Sequence, residues 1–438
     1  MTAILLCATP LAGHVGPLTT LGADLRRHGY EVHLLTGSRF ATSVDAAGLH
    51  HHSLSGAADF DERDPSTFVP HADRYTGLAL SRYQVEQTFV RPIPDQAAAV
   101  ERLVGDHHID AVLTDGTFAG ALPLLSMPAH RRPPVLGVGV MPLAQTSADV
   151  APFNSGMRHR TGRSARLRNR LAHAAVRHLL FRRTQQLAAR LVADAGGTLD
   201  TFVLDYSTLC DRFLQMGPSE FEYARSDLAP NTVFAGPVPS RPGPPTPPPG
   251  WWDDMVADPR PLIHVTQGTL DNHDLSQLIE PTLHALADAD VQVVVSTGGA
   301  PVDTIAQSLP NNARAASYLD YDALLPRTAV MITNGGYGGV LTALRHGVPV
   351  VVAPGAEDKP EVAARVHHVG VGIDLRTRRP TPSAIRTAVD TALTSPDIRR
   401  AATGLQHAIA TYTPLETVRT ELAATLTDHA ARTDWSPT

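Results

Sequence analysis

The chain is poor in cysteine: Cys7 and Cys210 are all it has in 438 residues. Two thiols cannot build a disulfide framework, and both sit in stretches that read as element interiors, which fits a reducing cytoplasm. No apolar run approaches the roughly 18 residues that a membrane span needs. The opening MTAILLCATP has no basic segment, and its apolar run is too short for a secretory signal. The expectation is a soluble cytoplasmic protein. Charge of one sign is also scarce. A formal net charge of −6 gives no overall pull toward nucleic acid, so any polyanion site must be local. The loop after the first apolar run, TPLAGHVGPL, lacks G-x-G-x-x-G, which disfavours a nicotinamide or flavin enzyme. The run His50–His52 is not a ligand set by itself, because adjacent strand residues point to opposite faces.

Proline, by contrast, is abundant and unevenly placed. The length favours two domains, and PVPSRPGPPTPPPG (237–250) can form neither helix nor ladder, so it reads as a linker between residues 1–236 and 251–411. A surface loop within one domain is the alternative. On each side, β-rich runs alternate with helical patterns: AILLCAT, EVHLLT, DAVLTD and PVLGVGV, then PLIHVTQGT, VQVVVSTG, VMITN and VPVVVAP. Such near-continuous apolar runs are buried on both faces, which predicts two doubly wound, parallel α/β domains. Ligands bind such folds beyond the carboxyl ends of the strands, and the cleft between two such domains is the expected site. The first helix is expected to open at Pro17 and close at Gly29.

Three loops carry chemistry. His14, between Gly13 and Gly16, stands after the first strand, where an imidazole can take a proton at neutral pH. Asp115 in LTDGTF ends another strand at the same rim, and a carboxylate there can fix the imidazole's tautomer. An ordinary loop histidine and a helix-capping aspartate are the plain alternatives. In the second half, Asn334 is followed by Gly335, Gly336, Gly338 and Gly339 and then by a helix. Glycines let a phosphate approach the backbone, and a helix start supplies N–H donors, so a pyrophosphate fits; tight strand–helix packing is the alternative. Thr266, Gly268 and Thr269 repeat the pattern after the first strand of the same domain. Glu357, Asp358 and Lys359 form an acidic turn suited to sugar hydroxyls.

Together these residues resemble the family-1 glycosyltransferases, nucleotide-sugar enzymes of the GT-B fold, with the most specific match at Ser317–Glu361. The resemblance implies an inverting, metal-independent transfer of a hexose from UDP-glucose or a dTDP-sugar to a small-molecule hydroxyl, with no cofactor. His14 is then the general base and Asp115 its partner. Tyr318 stacks on the base, and the Leu319 backbone faces the base edge. Asn334 replaces the family's diphosphate-binding histidine. Gly338 and Gly339 leave phosphate contacts to amides, and Asp358 with Lys359 grips the sugar. Thr342 stands where many relatives carry a ribose-binding glutamate, which leaves UDP against dTDP open.

Phe60, Tyr75, Tyr83 and Phe153 are candidate walls of an apolar acceptor pocket, suited to a polyketide, macrolide or phenolic natural product. Between Arg158 and Arg190 lie ten arginines and no acid, with Leu167, Leu171, Ala174 and Leu179 at helical spacing. A packed helix with a solvated arginine face is expected there; a membrane-surface helix, implying a lipid acceptor, is the alternative. Residues 412–438 read as a helix returning to the N-terminal domain, with a loose DWSPT tail. A sugar-nucleotide 2-epimerase and a non-catalytic sugar-nucleotide binding protein share the architecture and are the competing functions. A monomer or homodimer is expected.

Overall fold

The computed structural model describes residues 1–239, 247–269, 272, 274–306 and 309–431. Part of the proline-rich linker (240–246) and the DWSPT tail lie outside the described residues. The chain forms two compact units. The first comprises residues 1–217, 224–239 and 413–438, and the second 218–223 and 240–412.

In the first unit seven parallel strands are ordered β3-β2-β1-β4-β5-β6-β7. They are β1 (Ala3–Cys7), β2 (Glu31–Thr36), β3 (His50–Ser53), β4 (Ala111–Asp115), β5 (Val135–Gly139), β6 (Arg212–Gln215) and β7 (Thr232–Phe234). Every residue of β1, β4 and β5 is buried, as runs covered by helices on both faces require. Chain order reverses where β1 pairs with β4, Cys7 lying opposite Thr114. Loops diverge at such a switch point and leave a crevice at the carboxyl ends of the strands.

The second unit repeats the plan with β8 (Leu262–Thr266), β9 (Gln292–Ser296), β10 (Ala313–Ala316), β11 (Thr328–Thr333), β12 (Val350–Val352) and β13 (Gly372–Asp374). Their order, β10-β9-β8-β11-β12-β13, places its switch point between β8 and β11. Both units thus have the doubly wound strand order that the apolar runs suggest.

Two crossings of the chain differ from a simple division at the linker. Residues 218–223 sit in the second unit, where Phe221 is buried near Tyr337 and Glu222 pairs with Arg365 at 2.8 Å. Arg365 also meets Glu361 at 2.8 Å and lies over the Tyr223 ring, so a fully buried guanidinium is surrounded by compensating groups. The helix Pro414–Ala430 belongs to the first unit. Its Val418 and Leu422, one helical turn apart, enter that unit's core, each contributing about 1.5–3 kcal/mol by burial. Arg419 also pairs with the buried Asp24.

The basic segment departs from expectation. It forms helices Arg163–Ala175 and Arg182–Asp194 joined by a wider turn. Leu167, Leu171, Ala174 and Leu179 are exposed rather than packed, whereas Ala165, Asn169, Thr184, Ala188 and Val192 face inward. Small and polar residues fit closely against neighbours here: the Asn169 side chain donates to the Ala148 carbonyl. Among the described residues, no helix is long and apolar enough to cross a membrane.

Candidate functional site

The helix after β1 starts at Ala12, a turn before Pro17. The missing proline N–H therefore costs only a bond to the Gly13 carbonyl near the helix start. Leu11 supplies no side-chain cap; both oxygens of Glu62 accept from the Ala12 N–H at 2.9 Å instead. Glu62 is in turn held by Arg39 at 2.5 Å. Burial raises the Glu62 carboxyl above its usual range, against the opposing pull of the Ala12 N–H and Arg39. His14 thus stands in the first helical turn rather than in a free loop. A side chain at Gly13 or Gly16 would meet nothing within 4 Å, so the backbone on either side of His14 is open to approach.

Asp115 ends β4 across the switch point, fully buried, with Oδ1 3.1 Å from His14 Nδ1. Oδ1 also accepts from the Thr117 N–H and hydroxyl, each at 2.6 Å, and Oδ2 accepts from the Thr9 N–H at 2.5 Å. Burial pushes this carboxyl up. Charge from His14 and the hydrogen bonds from His14, Thr117 and Thr9 outweigh it, and the group stays below the usual carboxylate value. An ionised carboxylate only accepts, so His14 carries its proton on Nδ1 and presents Nε2 as the basic nitrogen. Asp115 therefore orients an imidazole as well as ending its strand. Thr117, Thr9 and Glu62 were not singled out in the sequence, although Thr117 lies within LTDGTF.

In the second unit, Asn334 follows β11 and its Nδ2 donates to the Gln267 carbonyl at 2.6 Å. That bond ties the loop after β8 to the loop after β11. Gly336 caps the helix Tyr337–Arg345, whose first turn holds Gly338 and Gly339. A Cβ on any of these three would meet nothing within 4 Å. Tight packing thus does not explain them, whereas Gly335 does need to be glycine, with φ +94° and Val352 only 2.8 Å from its would-be Cβ. First-turn amides have no intrahelical acceptor, so an anion fits there. Thr342 bonds back to the Gly338 carbonyl at 2.7 Å, as helix threonines do.

Gly268 takes φ +71°, and its amide donates to Thr266 Oγ1 at 3.1 Å. Thr266 is buried, while Thr269 is exposed. Tyr318 is 58% exposed, giving it a face for stacking, and its hydroxyl packs where a side chain on Gly299 would otherwise lie. Leu319 adjoins it, partly buried. Glu357 adopts left-handed backbone (φ +63°), which is costly for a non-glycine residue and typical of functional turns. Lys359 is buried and pairs with Glu357 at 2.9 Å. Asp358, at the start of the helix Lys359–Val369, makes no side-chain cap bond to it.

Three of the four aromatic candidates stack in pairs. Phe60 stacks on Phe68 at 4.6 Å, and Tyr75 on Tyr83 at 4.4 Å. Phe60 is 3% exposed and offers almost no free surface; its ring is spent on the Phe68 stack and the core beneath. Tyr75 is exposed, while Tyr83 and Phe153 are half-buried.

Residues 280–424 match the family described as Erythromycin biosynthesis protein CIII-like, C-terminal domain. Over 400 residues the chain is 35% identical to 4'-demethylrebeccamycin synthase of Lentzea aerocolonigenes, covering 90% of this chain and 93% of that protein. It is 33% identical to UDP-glucosyltransferase A1 of Starmerella bombicola, covering 94% and 90%. Among solved structures, the calicheamicin glycosyltransferase CalG4 superposes with a TM-score of 0.74 at 23% identity, over 97% of this chain and 98% of that one.

Proposed function

Because this chain belongs to the family-1 glycosyltransferases of GT-B fold and is a glycosyltransferase, we propose that it moves glucose from UDP-glucose to a hydroxyl of a small natural-product aglycone, with inversion and without a metal ion. The observation that carries this reading is the buried, ionised Asp115 hydrogen-bonded to His14 Nδ1 beside open backbone at Gly13 and Gly16.

In this reading His14 Nε2 removes the acceptor hydroxyl proton, and the positive charge it gains is stabilised by Asp115. The acceptor oxygen bonds to the anomeric carbon as the bond from that carbon to the phosphate oxygen breaks. The electron pair leaves with the nucleoside diphosphate, whose developing charge meets the first-turn amides around Gly338 and Gly339. Asn334 holds the two phosphate-side loops in register, Tyr318 stacks on the base beside Leu319, and Asp358 with Lys359 faces the sugar. Thr269 is the phosphate-side hydroxyl left exposed after β8. Tyr75, Tyr83 and Phe153 contact the aglycone.

The Starmerella relative's name supports UDP-glucose as donor, and the Lentzea relative's name supports a natural-product acceptor. Calorimetric titration with UDP and dTDP in the presence of chelator, followed by transfer assays on an aglycone panel, tests the proposal. Tighter UDP than dTDP binding, and a glycoside of inverted anomeric configuration formed in step with UDP release, are expected. Binding of neither nucleotide refutes the donor site, and retained configuration refutes the single displacement.

A further inference from the structure

Three histidines distant in sequence meet on the first unit. His33 lies in β2, His52 in the edge strand β3, and His107 ends the helix Ile93–Asp106. The parallel register sets His33 opposite His50 and Leu35 opposite His52. With a two-residue repeat, His50 and His52 project to one face of β3 and His51 to the other. Ring centroids of His33 and His107 are 4.4 Å apart, and those of His33 and His52, and of His52 and His107, are each 5.1 Å apart. One ring nitrogen from each of the three lies within 4.8 Å of the others.

We propose that His33, His52 and His107 form a binding site for one divalent transition-metal ion of the zinc class, which fastens the edge strand β3 to the end of the helix Ile93–Asp106. His33 Nδ1 and His52 Nε2 are 2.9 Å apart. Two imidazole nitrogens bound to tetrahedral zinc at about 2.0–2.1 Å stand about 3.3 Å apart, so this pair needs to open by only a few tenths of an ångström. The third nitrogen must close by about 1.5 Å at most to reach the same spacing, within the reach of small ring rotations at the half-buried His52 and His107.

The surroundings supply an orienting group. His33 is 3% exposed, and its Nε2 lies 3.3 Å from Glu31 Oε1, close enough for a charge contact but off the line of a good hydrogen bond. A carboxylate facing one ring nitrogen keeps the proton there and leaves the other nitrogen's lone pair for a metal. Here that other nitrogen is Nδ1, the one turned toward His52. Access is through His52 and His107, which are only half-buried. The guanidinium of Arg102 acts on His52 and works against a cation. Zinc carries no redox chemistry, and the site's work is mechanical: edge strands are the least secured part of a sheet.

The test uses the full chain stripped with chelator, titrated calorimetrically with zinc and, separately, followed by visible absorption with cobalt(II). The wild type should bind one equivalent of zinc, and its unfolding temperature should rise on binding. His52→Gln and His107→Gln should each weaken binding about tenfold or more, and the double variant should lose the thermal response. His178→Gln, at an exposed position outside the cluster, should change neither and controls for adventitious histidine binding. Absence of saturable binding in the wild type, or equal binding by the double variant, overturns the proposal. If the double variant does not fold, the cobalt spectrum of the wild type decides. Intense tetrahedral absorption supports the site, and the weak spectrum of hydrated cobalt overturns it.

Discussion

Replacing Asp115 by asparagine removes one charge and leaves the shape nearly unchanged. Four donors converge on the native carboxylate: the Thr9 N–H, the Thr117 N–H and hydroxyl, and His14 Nδ1–H. An asparagine keeps one oxygen. If its NH2 takes the Oδ2 position, it confronts the Thr9 N–H. If it takes the Oδ1 position, it confronts the Thr117 N–H and makes His14 accept on Nδ1, moving the imidazole proton to Nε2. Either way one buried backbone donor loses its acceptor, at a cost of about 1–3 kcal/mol. The remaining bonds pass from charge-assisted to neutral, each losing about 1 kcal/mol. Asp115→Asn should therefore destabilise the first unit by about 4–6 kcal/mol. In the first orientation the imidazolium loses its counter-charge, and in the second the base is gone. A fall in kcat of about 10²–10⁴ is expected in a folded variant. The assay is acceptor-dependent UDP release at saturating substrates, with circular dichroism to establish folding and UDP calorimetry as a donor-side control. A folded variant within about threefold of wild-type kcat would rule out His14 as the base, because either loss slows a step that needs it.

Three further outcomes follow from the packing. Gly338→Asp meets no protein atom at its Cβ, so its melting temperature should stay within a degree or two of wild type, while a carboxylate facing a diphosphate should lower UDP affinity about tenfold or more, read by calorimetry. Arg365→Ala leaves the buried Glu222 without its main partner and should destabilise the second unit by about 3–5 kcal/mol in a denaturant titration. At Asp24 burial pushes the carboxyl up, but Arg27 and Arg419 prevail and hold it below the ordinary value. A depressed folded pKa means stability that is present above the unfolded value of about 3.9 and lost as pH falls through the folded one. Arg419→Ala should thus be less stable than wild type near neutral pH, and the gap should shrink as pH drops below about 4.

The architecture was legible where strands are buried on both faces. The runs at β1, β4, β8 and β11 are mostly apolar, and these four flank the switch points that position His14, Asp115, Thr266 and Asn334. The sheet margins were not: the edge strands HHHS, TVF, ARAA and GID are short and polar or mixed, because an edge strand has a neighbour on one side only and needs no continuous apolar run, and RFLQ, next to an edge, is equally short. The start of the first helix was misplaced because its cap is Glu62, fifty residues away and invisible to local pattern. In the basic helices an apolar spacing exists but faces outward; periodicity identifies a stripe, not the side on which it is buried. His14 and Asp115 could be named from their strand ends, but their 3.1 Å contact depends on the parallel pairing of β1 with β4. The cluster of His33, His52 and His107 had no sequence signal beyond the HHH run, since its members come from three separate elements.

The central claim is that His14 activates the acceptor while the glycine-rich turn of the second unit holds the donor. It is tested most directly by measuring transfer and UDP binding side by side in His14→Ala. Acceptor-dependent UDP release should fall by about 10² to 10⁴ while the UDP dissociation constant stays within about twofold of wild type. Transfer at near wild-type rate, or a loss of UDP binding that matches the loss of transfer, would contradict it.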